Sequence, residues 1–100
     1  MPAPPPIRLG VALPHAAAGD RRALVAGYEY LTLADHVLGA DTTHRPGWTG
    51  HYPAADPLRE VFVHLGHVSA LTTWELVPSV VVLPQRQTAV VAKQTAELAS

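Results

Sequence analysis

The stretch Tyr30-Leu31-Thr32-Leu33-Ala34-Asp35-His36-Val37-Leu38 reads as a buried β-strand that delivers an acid and an imidazole to its C-terminal end. In a barrel of alternating strands and helices, that end is where chemistry is built. Upstream, Ile7, Leu9, Val11 and Leu13 alternate with Arg8, Gly10 and Ala12 and stop at Pro14-His15, the period-two pattern of a first strand. From about Ala16 to Ala26 the alanines with Leu24 and Val25 favour a short helix, and Gly27 stands where a C-cap glycine belongs. The second strand is expected over about Glu29 to Ala34.

Downstream, residues 37–55 hold Gly39, Pro46, Gly47, Gly50 and Pro53 among polar residues. A connection of about 20 residues is long for a compact domain, which makes it a candidate substrate-side loop. Asp56-Pro57 then offers an N-cap oxygen followed by proline at the first helical position, and predicts a helix to about Thr72. Its apolar stripe is Leu58, Val61, Phe62, Leu65, Val68 and Thr72, with Glu60, His64 and His67 assigned to the solvated side. Glu75 to Leu83 is nearly continuous apolar sequence, the signature of a parallel strand covered on both faces. Pro78 interrupts it, which predicts either a bulge at Pro78-Ser79-Val80 or an edge position. A last helix begins near Thr88 and runs through Ala89, Ala92, Ala96 and Leu98 toward Ser100, with no C-cap visible.

Strand, helix, strand, loop, helix, strand, helix implies an α/β fold of parallel strands joined by crossovers. A doubly wound sheet shares that order, but the turn Leu13-Pro14-His15-Ala16-Ala17-Ala18-Gly19 lacks a dinucleotide fingerprint and no P-loop lysine pattern occurs. The reading is therefore the N-terminal portion, about three βα units, of a TIM barrel. That barrel takes roughly 250 residues and 100 are present, so the expected organisation is a proline-rich, disordered lead-in at 1–6 and a partial barrel domain at 7–100. Such a partial sheet exposes an apolar face and an unpaired edge, which predicts self-association as a homo-oligomer.

Composition narrows the classes further. With 48% hydrophobic and 15% charged residues and a net charge of -1, the chain has no electrostatic pull toward nucleic acid or anionic lipid. It contains no cysteine, so disulfides, thiolate metal sites and a cysteine nucleophile are excluded. No signal peptide and no apolar run of about 20 residues is present, which leaves a cytoplasmic chain as the expectation.

His15, Asp35 with His36, and Gln85 with Arg86 all fall just past the three strand ends, within reach of a common ligand. Asp35 as a turn cap beside a partly exposed His36 is one reading. A proton-handling imidazole oriented by its neighbouring carboxylate is the other. Asp41, His44, His51 and Asp56 carry metal-ligand chemistry but match no ligand spacing, so no metal is expected. Trp48, Tyr52 and Trp74 fit either a lid or packing.

Taken together, Ile7 to Pro14, Gly27 to Leu38, Asp56-Pro57-Leu58, and Val82-Leu83-Pro84 with Ala89 to Gln94 resemble the luciferase-like flavin and deazaflavin oxidoreductases and monooxygenases, which are TIM barrels. The resemblance covers residues 7–100 and is nearest to the branch using coenzyme F420, with FMN as the alternative. It implies hydride transfer between that cofactor and a small organic substrate. It implies His36 as the catalytic residue, and Asp35 and His36 as cofactor contacts at the second strand's end. It implies Ser79 and Val80 as a non-proline cis peptide in a third-strand bulge behind the ring, where Pro78 replaces the usual small residue. His15 and Trp48 are the expected substrate-side residues. Two other readings stand beside it: a non-catalytic fragment that only self-associates, and a metal-dependent hydrolase barrel built on Asp35, His36 and the loop histidines.

Overall fold

A computed structural model of the chain describes residues 1–13 and 27–100. The first helix expected over Ala16–Ala26, and His15, lie outside the described residues. Strands β1 (Gly10–Ala12), β2 (Tyr30–Leu33) and β3 (Glu75–Pro78) form one sheet in the order β1-β2-β3, with both pairings parallel. Helix α1 (Val61–Ser69) precedes β3, and a 3-10 turn (Leu83–Gln85) leads from β3 into helix α2 (Thr88–Leu98). The chain is thus a small α/β unit with a three-stranded parallel sheet.

The sheet's register explains its core. Val11, Leu31 and Leu76 are aligned across the three strands, and alternation puts them on the same face as Leu13 and Leu33. That face packs on Val61, Phe62, Leu65 and Val68 of α1, with Val91 and Leu98 of α2 closing over it. Leu33, at the middle of the sheet, is only 1% exposed. The opposite face carries Ala12, Thr32 and Val77 beside Tyr30, all exposed or half-buried, so β3 is covered on one side rather than the two expected. Gly10 leaves room there for the Tyr30 ring, which a Cβ would meet at 2.1 Å and push aside. At the N-terminal end of the sheet, Arg8 links Glu29 (3.1 Å) and Glu75 (2.7 Å), tying together the entries to all three strands.

Several expected boundaries moved, each for a physical reason. β1 covers only Gly10–Ala12, since Ile7 and Leu9 are exposed and pair with the sheet only through the Leu9 carbonyl, which accepts from Glu29 N–H at 2.8 Å. α1 begins at Val61 instead of Pro57, because Glu60, in extended conformation, is the N-cap: its carboxylate accepts from Val63 N–H at 2.7 Å. It ends at Ser69, and the Thr72 hydroxyl accepts from Trp74 N–H at 3.1 Å to turn the chain into β3. His64 is 5% exposed and belongs to the buried stripe, not the solvated side. Its spacing from Val61, Leu65 and Val68 at three, one and four residues places it on the face those residues define.

Strand β3 stops at Pro78, far short of Leu83. Ser79 N–H still donates to the Leu33 carbonyl at 2.9 Å, but the Ser79–Val80 peptide is cis and the chain then leaves the sheet. Val82 N–H donates to the Asp35 carboxylate at 2.9 Å instead of to a neighbouring strand. The last helix starts at Thr88 as expected and ends at Leu98, where Ala99 N–H reaches the Thr95 carbonyl at 3.1 Å. Among the described residues, no helix is long and apolar enough to cross a membrane.

Candidate functional site

Parallel strands put all their C-terminal ends on one rim. There the chain leaves β2 through Ala34, Asp35 and His36, and leaves β3 through Ser79 and Val80, side by side through the Ser79 to Leu33 hydrogen bond. The Ser79–Val80 peptide is cis at the position the family resemblance named. Val80 is 69% exposed, so its isopropyl group lies outside the core.

Asp35 is the best-anchored residue of this rim, with its side chain fully buried. Arg86 forks onto it: Nε donates to Oδ2 at 2.8 Å and Nη2 to Oδ1 at 2.5 Å. With the Val82 N–H also on Oδ2, both carboxylate oxygens are committed within the protein. Arg86 Nη1 continues to Glu60 Oε1 at 2.7 Å, and the guanidinium lies over the Phe62 ring at 5.2 Å. The network therefore joins the tip of β2, the loop after β3 and the first turn of α1. Hydrogen bonds from Arg86 hold the Asp35 carboxyl below the usual carboxylate range, outweighing burial, which acts the other way, and the Val82 amide reinforces them. The same pair pushes the Arg86 guanidinium further up. Glu60, assigned from the sequence to a solvated side, is instead half-buried as cap and ion partner.

His36 follows Asp35 onto the rim and is half-buried. Tyr52 lies against it, with ring centroids 3.9 Å apart and planes inclined by 34°. His51 is the next ring, 6.0 Å from Tyr52. The long loop comes back to the rim because Ala40 and Pro53 form a parallel bridge, with Ala40 N–H donating to the Tyr52 carbonyl at 2.8 Å and Ala54 N–H to the Ala40 carbonyl at 2.9 Å. Inside the loop, Asp41 accepts from the Thr43 amide at 2.9 Å and from its hydroxyl, a local turn that lowers the Asp41 carboxyl. Trp48, expected on the substrate side, packs within its own loop: Arg45 lies over its ring at 5.3 Å, and a Cβ on Gly50 would strike it at 2.5 Å.

The structure thus brings together Asp35, His36, Ser79 and Val80, and adds Tyr52, Val82 and Arg86. The sequence named Arg86 only as a strand-tip residue and left Tyr52 undecided. The opposite charges of Asp35 and Arg86 at adjacent tips were a usable signal for the pair. Among the described residues, no group of three or more histidine, aspartate or glutamate side chains is gathered as a metal site would need. A groove of about 440 Å³ between α1, β3 and α2, lined by Phe62, Leu65, Trp74, Leu76 and Leu98, is largely apolar and holds one carboxylate, Glu75. No family model, no curated protein and no solved structure matches the chain.

Proposed function

We propose that the chain is the N-terminal βα part of a luciferase-like TIM barrel and a cytoplasmic oxidoreductase that binds coenzyme F420, or alternatively FMN, at this rim and acts on a small organic substrate. The observation that carries the reading is the adjacency of His36 and the Ser79-Val80 segment at neighbouring tips of a parallel sheet. The residues suit a planar ring: a half-buried imidazole at one strand tip and an exposed Val80 side chain at the next. The cofactor, when bound, supplies the hydride chemistry.

The chain's own residues do the rest. His36 holds or moves a proton at an imidazole nitrogen, the general acid or base role this side-chain type most often supplies. Ser79 and Val80 support the ring from behind. Asp35 does not need to touch a ligand to matter, because it fixes Val82 and Arg86 and thereby the course of the chain after Val80. A second reading, a self-associating chain that binds no cofactor, is favoured by the exposure of Ile7, Leu9, Leu38, Val80 and Leu83.

Titrating F420 and FMN separately into the purified chain distinguishes the two. Under the proposal, absorbance and fluorescence of one of them change saturably in the micromolar range. Unchanged spectra for both at high micromolar concentration, together with a multimer on size-exclusion chromatography, would leave only the second reading.

A further inference from the structure

We propose that Tyr52 is a positioning residue for the His36 imidazole, laid against its face by a backbone clamp that closes the 37–55 loop. The inference rests on the proposed proton-handling role of His36. The ring contact itself is close, with centroids 3.9 Å apart. Behind it stands a backbone that has been given little choice. Tyr52 adopts φ 63°, in the left-handed region where a bulky side chain is rarely found and where glycine would be accommodated without steric cost. Residues kept in such conformations are held by their surroundings and concentrate at functional sites.

The holding structure is visible on both sides of Tyr52. Its carbonyl accepts from Ala40 N–H at 2.8 Å, and Ala54 N–H donates to the Ala40 carbonyl at 2.9 Å, so the two ends of the loop are paired directly around it. Gly39 permits the approach, for a Cβ there would stand 2.5 Å from the Pro53 carbonyl oxygen and 2.6 Å from the Ala54 Cα. Backbone cannot yield as a flexible side-chain tip can. A chain that needed only to close this loop would do so more easily with glycine at position 52, so the aromatic ring is the feature the clamp presents. What it presents it to is the imidazole one residue beyond Asp35, itself immobilised by Arg86. His36 is thereby held from its backbone side by the Asp35 anchor and across its ring by Tyr52.

The test compares Tyr52→Phe, Tyr52→Leu, Tyr52→Gly and Gly39→Ala in the whole chain. The readouts are the His36 Cε1 proton shift by NMR, F420 and FMN affinity, kcat and KM for the substrate, and the melting temperature. Tyr52→Phe is expected to keep the ring-current shift of the His36 proton and nearly all of kcat. Tyr52→Leu, Tyr52→Gly and Gly39→Ala are expected to lose that shift and to lower kcat by about 10- to 100-fold, with KM changed far less. Tyr52→Gly should melt no lower than the parent, which separates lost positioning from lost folding. Equal His36 shifts and equal kcat in the Phe and Leu variants would overturn the proposal. If the parent chain binds neither F420 nor FMN, the cofactor reading fails, and the Phe-against-Leu shift comparison alone then upholds or overturns the positioning of His36 by Tyr52.

Discussion

Replacing Arg86 with methionine is expected to lower the unfolding free energy by about 3–5 kcal/mol, the range for stripping one partner from a buried ion pair. The size follows from what would be left behind. Asp35 has no side-chain exposure and Arg86 only 10%, so the buried carboxylate would keep the Val82 N–H but lose the guanidinium that compensates its charge. Glu60 would lose its partner at 2.7 Å in the same step, but it is 38% exposed and adds little to the cost. Urea unfolding at neutral pH checks the number. The double variant Asp35→Ala with Arg86→Met should cost clearly less than the sum of the two single changes, because each single change leaves an uncompensated buried charge and the double variant leaves none. Additive costs would mean that the pair is not coupled.

The same pair sets an acid dependence whose sign is definite. Asp35 titrates lower in the folded chain than in the unfolded one, because Arg86 stabilises its charged form. Its contribution is therefore fully present above the unfolded value of about 3.9 and disappears as pH falls through the lower folded value. Stability of the parent chain should drop on acidification below about pH 4, and Asp35→Asn should flatten that part of the curve. A parent curve as flat as that of the variant would contradict the assignment.

Replacing His36 with glutamine is expected to reduce turnover about 10²- to 10⁴-fold, the usual contribution of a positioned acid or base. Glutamine keeps a polar side chain of similar reach but cannot take up and release a proton near neutral pH. Cofactor affinity should change much less, since Ser79 and Val80 on the neighbouring tip remain, and the Asp35 to Arg86 pair that shapes them is untouched. Stopped-flow hydride transfer with F420 or FMN reads the first quantity and fluorescence titration the second. A His36→Gln chain with parental turnover would remove the imidazole from the mechanism.

The strands were legible because their alternation is a local property: Val11, Leu31, Leu33 and Leu76 are spaced as residues sharing one buried face must be. Their ends were not, because distant groups decide them. Nothing near Val82 in the sequence says that its amide goes to Asp35 instead of to a strand, yet that hydrogen bond draws the chain off the sheet well before Leu83. Asp56-Pro57 carried the local signature of a helix start, but Glu60, held across the molecule by Arg86, caps the helix instead. His64 is a different case, since its spacing from Val61 and Val68 already placed it on the apolar stripe, and its polarity had pointed the other way. Of the candidate site, Asp35 and His36 were readable as the end of a hydrophobic run, and the cis peptide lies at the Ser79–Val80 position the resemblance supplied. The Tyr52 contact was not readable, because it exists only once Ala40 and Pro53 have closed a loop whose ends are remote in sequence.

Ring binding at the C-terminal tips of β2 and β3 is tested most directly by amide chemical-shift mapping during an F420 or FMN titration. Saturable shifts concentrated at His36, Ser79, Val80 and the Tyr52 region, with Glu29 and Glu75 at the far end of the sheet unmoved, are the predicted result. Saturable shifts centred on Glu29 and Glu75 or on the groove beside Trp74, or no shifts with either cofactor, would contradict it.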